Sequence, residues 1–271
     1  MIEKYYNGVI EQVAGGIGNV EHNSILVRYS NDFSIWDLES VNHYKDQTDI
    51  FFTCHEFSYN KIAEAYEPYL GLIRQMFHKY CSGTLEEFME ECDVYKLQRP
   101  VFESYFEKGF CERTEQILID EVEYEQERMR NSIVTMLQKL SEIRPVVIVL
   151  NRFQLASKST MQLTNRLLQT KNKNIGIVLG VNDVQSIPEF AHEEWDAICE
   201  SMDDRNMVYH IGNAGRNMEP DVMDYYSDYE SDDGYRKLNN LVYFLDFDQA
   251  DHHLSKIERR IKFDRICADT V

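Results

Sequence analysis

The sequence predicts an α/β fold in which a parallel sheet is flanked by helices. Short apolar runs bounded by turn residues alternate along the chain with longer segments of helical period. The alternation is nearly regular, and a strand–helix–strand order places successive strands parallel in one sheet. A doubly wound arrangement is therefore the expected fold.

Six runs are expected to form strands, because they are short, apolar and bounded by turn residues. The run at 146–150 has the best defined beginning, since all five of its residues are apolar and Pro145 precedes it. The predicted strands are 9–13, 25–30, 48–55, 146–150, 175–181 and 207–211.

Four segments between these strands are expected to be helical. The first opens near Ala65 and carries Pro68 early, which suits the first turn of a helix. The third is long and leads into the strand at 146–150. Ser157 or Ser159 is expected to cap the last one. The predicted helices are 60–80, 84–108, 112–143 and 159–168.

The composition favours a folded protein of the cytoplasm. The hydrophobic fraction of 43%, with 17 Tyr and 14 Phe, supplies a core for one large domain. No apolar run approaches the roughly 18 residues that span a bilayer, and the first residues lack the pattern of a signal peptide. The six cysteines form no C-x-x-C pair, so we expect thiols rather than disulfides or a zinc site.

The charge balance argues against two classes of partner. The chain has 28 basic and 47 acidic residues, a net charge of −19. Nucleic acids and anionic membranes both attract basic surfaces. We therefore expect neither as a partner of this domain, and we interpret the acidity as a source of solubility.

The residues that follow the strand at 146–150 resemble a nucleotide motif. In STAND-type P-loop signalling ATPases, an apolar strand is followed by D-D-L-Q-W-A-D-x-S-T-L, and its acidic residues hold Mg²⁺ and orient the attacking water. This chain has Asn151 and Arg152 in place of those acids. The residues that match the motif are Gln154, Ala156, Ser159 and Thr160.

The resemblance implies a phosphate loop near the N-terminus, after a first strand at 9–13. Laid on G-x-x-x-x-G-K-[ST], the segment AGGIGNVEH keeps a glycine at the first position only. Glu21 would repel a triphosphate at the position where the family has a lysine. In this alignment 25–30 falls in the following helix rather than in a strand. The degenerate loop positions are Gly15, Gly16, Gly18, Val20, Glu21 and His22.

Two further segments extend the resemblance to roughly residues 8 to 215. The strand at 48–55 and the helix that carries Pro68 are similar to the segment that follows the phosphate loop in these ATPases. The strand at 175–181 ends at Asn182-Asp183, where the family places its sensor residue. Asp183 is therefore another candidate position of the nucleotide site.

The chain is expected to divide into three parts. Residues 1–215 form the degenerate P-loop NTPase-like domain, and the acidic segment 216–235 is a linker or loop. Residues 236–271 are expected to form a helical hairpin joined near Phe247, similar to the opening of a tetratricopeptide-like repeat array. Since one hairpin cannot bury its apolar face alone, we expect this chain to be the N-terminal part of a longer protein.

The function that the resemblance implies is regulation without catalysis. In the family, the NTPase domain is a switch whose nucleotide state controls the exposure of partner-binding repeats. With Glu21, Asn151 and Arg152 in place, we expect a pseudo-ATPase that serves as a signalling scaffold, needs no cofactor, and binds proteins or other domains of a longer chain. One alternative is a switch that binds ATP with Mg²⁺ through an unconventional loop, and another is an unrelated α/β enzyme with a separate pocket.

Overall fold

A computed structural model gives the fold of most of the chain. It describes residues 2–18, 23–29, 35–45, 49–58, 61–111, 122–170, 172–182, 187, 189–203, 208–211 and 232–255. None of the helices in these ranges is both long and apolar enough to cross a membrane.

Five strands in the described ranges form one parallel sheet. Their spatial order is β2-β3-β4-β1-β5, and each neighbouring pair is parallel. The predicted α/β class and parallel sheet are therefore confirmed. The strands are β1 (Ser24–Tyr29), β2 (Phe51–Glu56), β3 (Val146–Asn151), β4 (Ile175–Asn182) and β5 (Val208–Ile211).

The two central strands β3 and β4 are buried at every residue. Strands that are covered on both faces appear in the sequence as continuous apolar runs, which is why their positions were predicted to within about one residue. The edge strand β2 is partly exposed along its whole length.

Helices cover both faces of the sheet. They are α1 (Ile2–Gly15), α2 (Glu39–Lys45), α3 (Tyr69–Tyr80), α4 (Leu85–Glu91), α5 (Arg99–Lys108), α6 (Val122–Ile143), α7 (Lys158–Gln169), α8 (His192–Asp203) and α9 (Asp232–Tyr243). A further helix is described from 247 to 255. The first two helices pack on one face with side chains of β1, β3 and β4, and α3 to α9 build the larger core on the other face.

The strand predicted at 9–13 is wrong, because these residues lie inside α1. The apolar positions extend beyond the predicted run: Tyr6, Val9, Ile10 and Val13 are all buried. Spacings of three and four residues place them on one face of a helix. The first strand of the sheet is β1, which was predicted at 25–30 and would have been helix in the phosphate-loop alignment.

Two predicted helices have different limits, and residues 112–121 of the predicted helix 112–143 lie outside the described residues. The first begins only at Tyr69, and the segment 84–108 is two helices separated by 92–98. The N-terminus of α4 is fixed by a capping box, in which Thr84 accepts from the N–H of Glu87 and the Glu87 carboxylate accepts from the N–H of Thr84. Ser157 caps α7, as one of the two predicted alternatives, by accepting from the N–H of Thr160.

The C-terminal helices pack directly on the α/β core. Phe244, in the turn after α9, is fully buried and contacts the rings of Tyr66 and Phe102. In the same turn the buried Asp246 carboxylate accepts from the N–H of Ser159 in the first turn of α7, at 3.0 Å. A carboxylate in this position also complements the positive end of the helix dipole. The turn occupies 244–246 rather than the predicted junction near Phe247.

Close packing of α1 on β4 generates a first prediction. A Cβ atom at Gly180 would clash with the Tyr6 hydroxyl, so Gly180→Ala is expected to lower the free energy of unfolding by about 1–3 kcal/mol in urea denaturation. Tyr6→Phe should recover part of this loss in the double variant. The matched control is Gly8→Ala, at an exposed helical position with open space around it, which should raise stability by about 0.5–1 kcal/mol. Equal effects of the two alanine substitutions would contradict the described packing.

Candidate functional site

The connection after β1 runs along the sheet in the opposite direction to the connections after β2, β3 and β4. This change of direction beside β1 defines the candidate site. From β1 the chain crosses to the far edge at β2, returns through β3 and β4, and then passes over β1 to β5. In open parallel sheets, ligands bind outside the carboxyl ends of the strands at such a switch point. The residues that end the strands around it are Tyr29, Glu56, Asn151 and Asn182.

A buried hydrogen bond joins the ends of β1 and β3 across β4. The Tyr29 hydroxyl donates to Asn151 Oδ1 at 2.7 Å, and both residues are almost completely buried. The bond passes over Gly180 of β4, where a Cβ atom would collide with Asn151 Oδ1. Because Gly180 has no side chain, this hydrogen bond can join the non-adjacent strands β1 and β3 directly.

Tyr6 of α1 lies in the same cluster. Its hydroxyl is the nearest atom to a Cβ built on Gly180. Burial raises the pKa of Tyr6 well above its ordinary value, and Tyr29, Glu56 and Cys54 add to the effect. Tyr6 therefore stays protonated, and the helix that precedes β1 covers the carboxyl ends of β3 and β4 with an uncharged aromatic side chain.

Asn151 provides a neutral amide where an acid would be needed to hold a metal ion. Its side chain is fully buried, and Nδ2 has no hydrogen-bond partner among the described residues. An aspartate at this position would have an acceptor oxygen in place of Nδ2. It would also bury a charge, which is strongly unfavourable unless the charge is paired.

Arg152 forms an ion pair with Glu56. Arg152 Nη1 lies 3.4 Å from Glu56 Oε1, and the two side chains are only 20% and 13% exposed. The other carboxylate oxygen, Glu56 Oε2, accepts from the N–H of Ile35 at 3.1 Å. Arg152 has φ 52°, in the left-handed region, which costs a residue other than glycine roughly 1–2 kcal/mol. The ion pair and the buried turn after β3 hold this conformation.

A second contact closes the turn after β3. Gln154 is fully buried, and its Oε1 accepts from the N–H of Asn182 at 3.3 Å. This bond ties the short helical turn Phe153–Leu155 to the end of β4. Asp183, the predicted sensor position, lies outside the described residues.

The predicted loop positions do not meet the end of β3. Gly15 ends α1, and Gly18 donates its N–H to Lys173 O at 2.7 Å, just before β4 begins. Asn23 Nδ2 donates to Ile175 O at 2.8 Å, at the same edge. Gly15, Gly16 and Gly18 are thus at the amino edge of the sheet, and they do not follow a first strand at 9–13 as was predicted. Val20, Glu21 and His22 lie outside the described residues.

The physical reason for this correction is the position of the first strand. Because β1 begins at Ser24, the glycines precede the strand instead of following it. The connection that leaves the carboxyl end of β1 is residues 30–34, with the sequence SNDFS. The sequence patterns did not identify Tyr6, Tyr29 or Glu56 as site residues. Tyr29 and Glu56 nevertheless lie at the ends of the runs predicted as strands at 25–30 and 48–55.

Comparison with known proteins adds no family to this description. The chain matches no family model and no curated protein. The interpretation of the site therefore depends on its geometry and on the motif resemblance.

The last two side chains of β2 point to opposite faces of the sheet. Glu56 faces α1, whereas His55 Nε2 lies 3.5 Å from Glu67 Oε1 on the other face. The ring of His55 packs edge-on against Phe57. Burial lowers the pKa of His55 to about 4, with Lys61 acting in the same direction. Glu56 favours the protonated form, but the imidazole is neutral at pH 7.

The hydrogen bond between Tyr29 and Asn151 generates a second prediction. Tyr29→Phe leaves Asn151 Oδ1 buried without its donor, so the free energy of unfolding should fall by about 1–3 kcal/mol in urea denaturation. Tyr235→Phe, at a tyrosine that is 67% exposed, is the matched control and should change stability by less than about 0.5 kcal/mol.

A double-mutant cycle separates this bond from other effects of the substitution. Tyr29→Phe combined with Asn151→Leu removes both polar partners, and its cost should be smaller than the sum of the two single changes. Additive costs would show that the bond does not stabilise the fold.

The lowered pKa of His55 generates a third prediction. Well above pH 6.5 neither the folded nor the unfolded state binds a proton at His55. As the pH falls from 6.5 towards 4, the unfolded chain is protonated first, and the free energy of unfolding decreases by up to about 3 kcal/mol. His55→Gln should remove this part of the pH dependence. Parallel stability curves for the two proteins between pH 4 and 6.5 would contradict the burial of a neutral imidazole.

Proposed function

We propose that this chain is a catalytically inactive, NTPase-like regulatory or scaffold domain that acts in the cytoplasm through protein partners or other domains of a longer chain. The observation that carries the proposal is the pairing of the two residues at the end of β3. Asn151 is bonded to Tyr29 at 2.7 Å, and Arg152 is paired with Glu56. The resemblance of the segment from Val146 to Thr160 to STAND-type ATPases is the basis for proposing a relation to that family.

The connection after β1 supports the absence of a phosphate loop. In the fold described above, a loop at the switch point must lie between Tyr29 and the turn that begins at Ile35. Only residues 30–34 are available there, and SNDFS contains neither glycine nor lysine. The pattern G-x-x-x-x-G-K-[ST] is longer than this connection, and it needs glycine for close approach and lysine for charge neutralisation.

The end of β3 supports the absence of magnesium chemistry. Mg²⁺ in such enzymes is held by carboxylates and by the phosphates of the nucleotide. Asn151 offers one amide oxygen, which Tyr29 already occupies. The nearby carboxylate of Glu56 is bonded to the N–H of Ile35 and paired with Arg152. An incoming cation would have to displace Arg152 to reach it.

These features favour a structural role for the carboxyl edge of the sheet. Tyr6, Tyr29, Asn151 and the ion pair between Glu56 and Arg152 connect α1, β1, β2 and β3 without a ligand. In an active switch, a nucleotide would supply such connections only in one state. Here the protein's own side chains make them, which suits a scaffold.

The test is nucleotide binding to the purified chain, which is the fourth prediction. We expect no heat in calorimetry and no thermal shift with millimolar ATP or GTP, with or without Mg²⁺. Specific binding at a ligand concentration a hundredfold above Kd would stabilise the fold by about 2.7 kcal/mol, which both methods detect.

The variant Arg152→Gln separates the two features that are proposed to prevent nucleotide binding, the cation at the end of β3 and the short connection after β1. It removes the cation beside the end of β3 but leaves the connection after β1 unchanged, so nucleotide should still not bind. Mg²⁺-dependent binding at micromolar nucleotide by the wild-type chain would overturn the proposal and favour a switch with an unconventional loop. Binding by Arg152→Gln alone would show that the short connection is not a barrier.

A further inference from the structure

The strand β2 has a free edge. Among the described strands it pairs only with β3, at one end of the sheet. The N–H of Phe51 donates to Pro145 O at 2.7 Å, which fixes the side from which β2 is bonded. Because the backbone groups of successive residues in a strand point to opposite sides, residues 51, 53 and 55 bond to β3. The N–H and C=O groups that point away from β3 are those of Phe52, Cys54 and Glu56.

The outward backbone groups of β2 are available to another chain. Within the described ranges, no group of the protein bonds to these N–H and C=O groups. A row of unpaired backbone groups is a template on which a further extended chain can pair. Edge strands are often protected by lysine or proline within the strand, whereas the sequence of β2, FFTCHE, contains neither. This edge therefore suits the addition of a strand.

A cavity of about 220 Å³ lies beside the free edge. Thr53, Cys54 and His55 form one wall, and the segment before α3, α3 itself and α5 form the rest. The side chain of Cys54 packs with the core on the α1 face, so its backbone borders the cavity on the other side. A side chain of an added strand would enter the cavity at this point. The apolar part of the lining is Ala65, Pro68, Gly71 and Leu72.

Two exposed lysines lie on opposite faces of β2 near its free edge. Burial raises the pKa of the Cys54 thiol to about 11, and the charge of Lys45 in α2 opposes this shift from the α1 face. On the other face, Lys79 Nζ of α3 lies 5.8 Å from the ring centre of Phe51. Neither ammonium group pairs with a carboxylate of the described residues. An incoming acidic side chain on either face would therefore meet a cation.

We propose that the free edge of β2 binds an extended acidic segment of a partner protein, which adds a strand to the sheet and places an apolar side chain in the cavity. In this mode of recognition, main-chain hydrogen bonds supply affinity and side-chain pockets supply specificity. The acidic side chains of the segment lie near Lys45 and Lys79, and the carboxylate of Glu56 in β2 is already paired with Arg152. The inference rests on the proposed function only in naming the kind of partner that the scaffold binds.

The test, which is the fifth prediction, uses a labelled peptide of sequence Glu-Val-Glu-Val-Glu with blocked ends. When extended, it has one acidic face and one apolar face. Fluorescence anisotropy at pH 7 and physiological salt should show saturable binding of one peptide per chain, with a Kd that is roughly millimolar or tighter. The basic analogue Lys-Val-Lys-Val-Lys should bind about tenfold more weakly, because it faces like charges. No saturable binding of the acidic peptide, or equal affinity for the two peptides, would overturn the proposal.

A proline in β2 tests the backbone of the free edge. Cys54→Pro removes an outward N–H and leaves the hydrogen bonds to β3 unchanged, and proline is accepted in edge strands at such positions. We expect it to weaken the acidic peptide by about tenfold, the equivalent of one backbone hydrogen bond. Cys54→Ala keeps the N–H, so it is the matched control and should leave Kd within about twofold. Equal affinity of these two variants, both with the circular dichroism spectrum of the wild-type chain, would contradict strand addition.

Two further variants test the proposal without changing the backbone of β2. At Gly71 an added Cβ would meet the Tyr105 hydroxyl at 3.9 Å, an ordinary contact, so Gly71→Leu should fold, fill the cavity and weaken the acidic peptide. Lys45→Gln removes a cation beside the edge and should also weaken it. Lys4→Gln, at an exposed lysine of α1, changes the net charge equally and should leave Kd unchanged. Unaltered affinity in both Gly71→Leu and Lys45→Gln would overturn the proposal.

A second copy of the chain is the competing occupant of the edge, and sedimentation equilibrium separates it from a peptide. A monomer that binds the acidic peptide supports the proposal. A dimer that Cys54→Pro converts to a monomer would assign the edge to a second copy and overturn it. The nucleotide titrations are separate from these measurements, since binding of ATP or GTP would overturn the proposed function without changing peptide binding at β2.

Discussion

The described fold depends on the absence of side chains at two positions of β4. At Gly176 a Cβ atom would lie 2.7 Å from a methyl group of Val13, and at Gly180 it would overlap the Tyr6 hydroxyl. Because both glycines are on the same face of the strand, α1 can lie directly on the sheet. Interiors are packed closely enough that even one methyl group at such a contact must move its neighbours.

The close approach of α1 to β4 determines which groups fit at the carboxyl edge of the sheet. Tyr6 is brought to the end of β3, and the Tyr29 hydroxyl reaches Asn151 over Gly180. The space above β4 is therefore filled by two tyrosine hydroxyls and one amide of the chain itself. A side chain of ordinary size at Gly180 would separate α1 from the sheet and break the connection between β1 and β3. The same glycine thus supports both the packing of the first helix and the closure of the candidate site.

The sequence predicted those parts of the fold that depend on local signals. The run from Val146 to Leu150 and the run at 175–181 were placed correctly, because strands buried on both faces are apolar throughout. Val9–Val13 was misplaced as a strand, because Glu11 and Gln12 interrupt its apolar residues, and Val9, Ile10 and Val13 share with Tyr6 the spacing of one helix face. This error moved the expected site to the wrong edge of the sheet, since a site at the carboxyl ends depends on which segment is the first strand.

The contacts of the site could not be predicted in the same way. Tyr29 and Asn151 are 122 residues apart in the sequence, and no local pattern indicates that a glycine of a third strand lets them meet. The motif resemblance drew attention to Asn151 and Arg152 but not to their partners. The pairing of Arg152 with Glu56 requires that β2 lie beside β3 in register, with Glu56 opposite Asn151. Such register follows from the whole sheet rather than from any segment.

The two faces of β2 show how one acidic chain uses its carboxylates differently. On the face of α1, Glu56 has a guanidinium partner and a backbone donor, so its charge is neutralised within the fold. On the other face, the Glu64 carboxylate accepts from Asn240 Nδ2 and the Glu67 carboxylate accepts from the N–H of Glu64. Hydrogen bonds from neutral donors such as these stabilise the ionised form of a carboxylate. In the described structure, therefore, the edge that resembles a nucleotide site is closed by the pairing of Glu56 with Arg152.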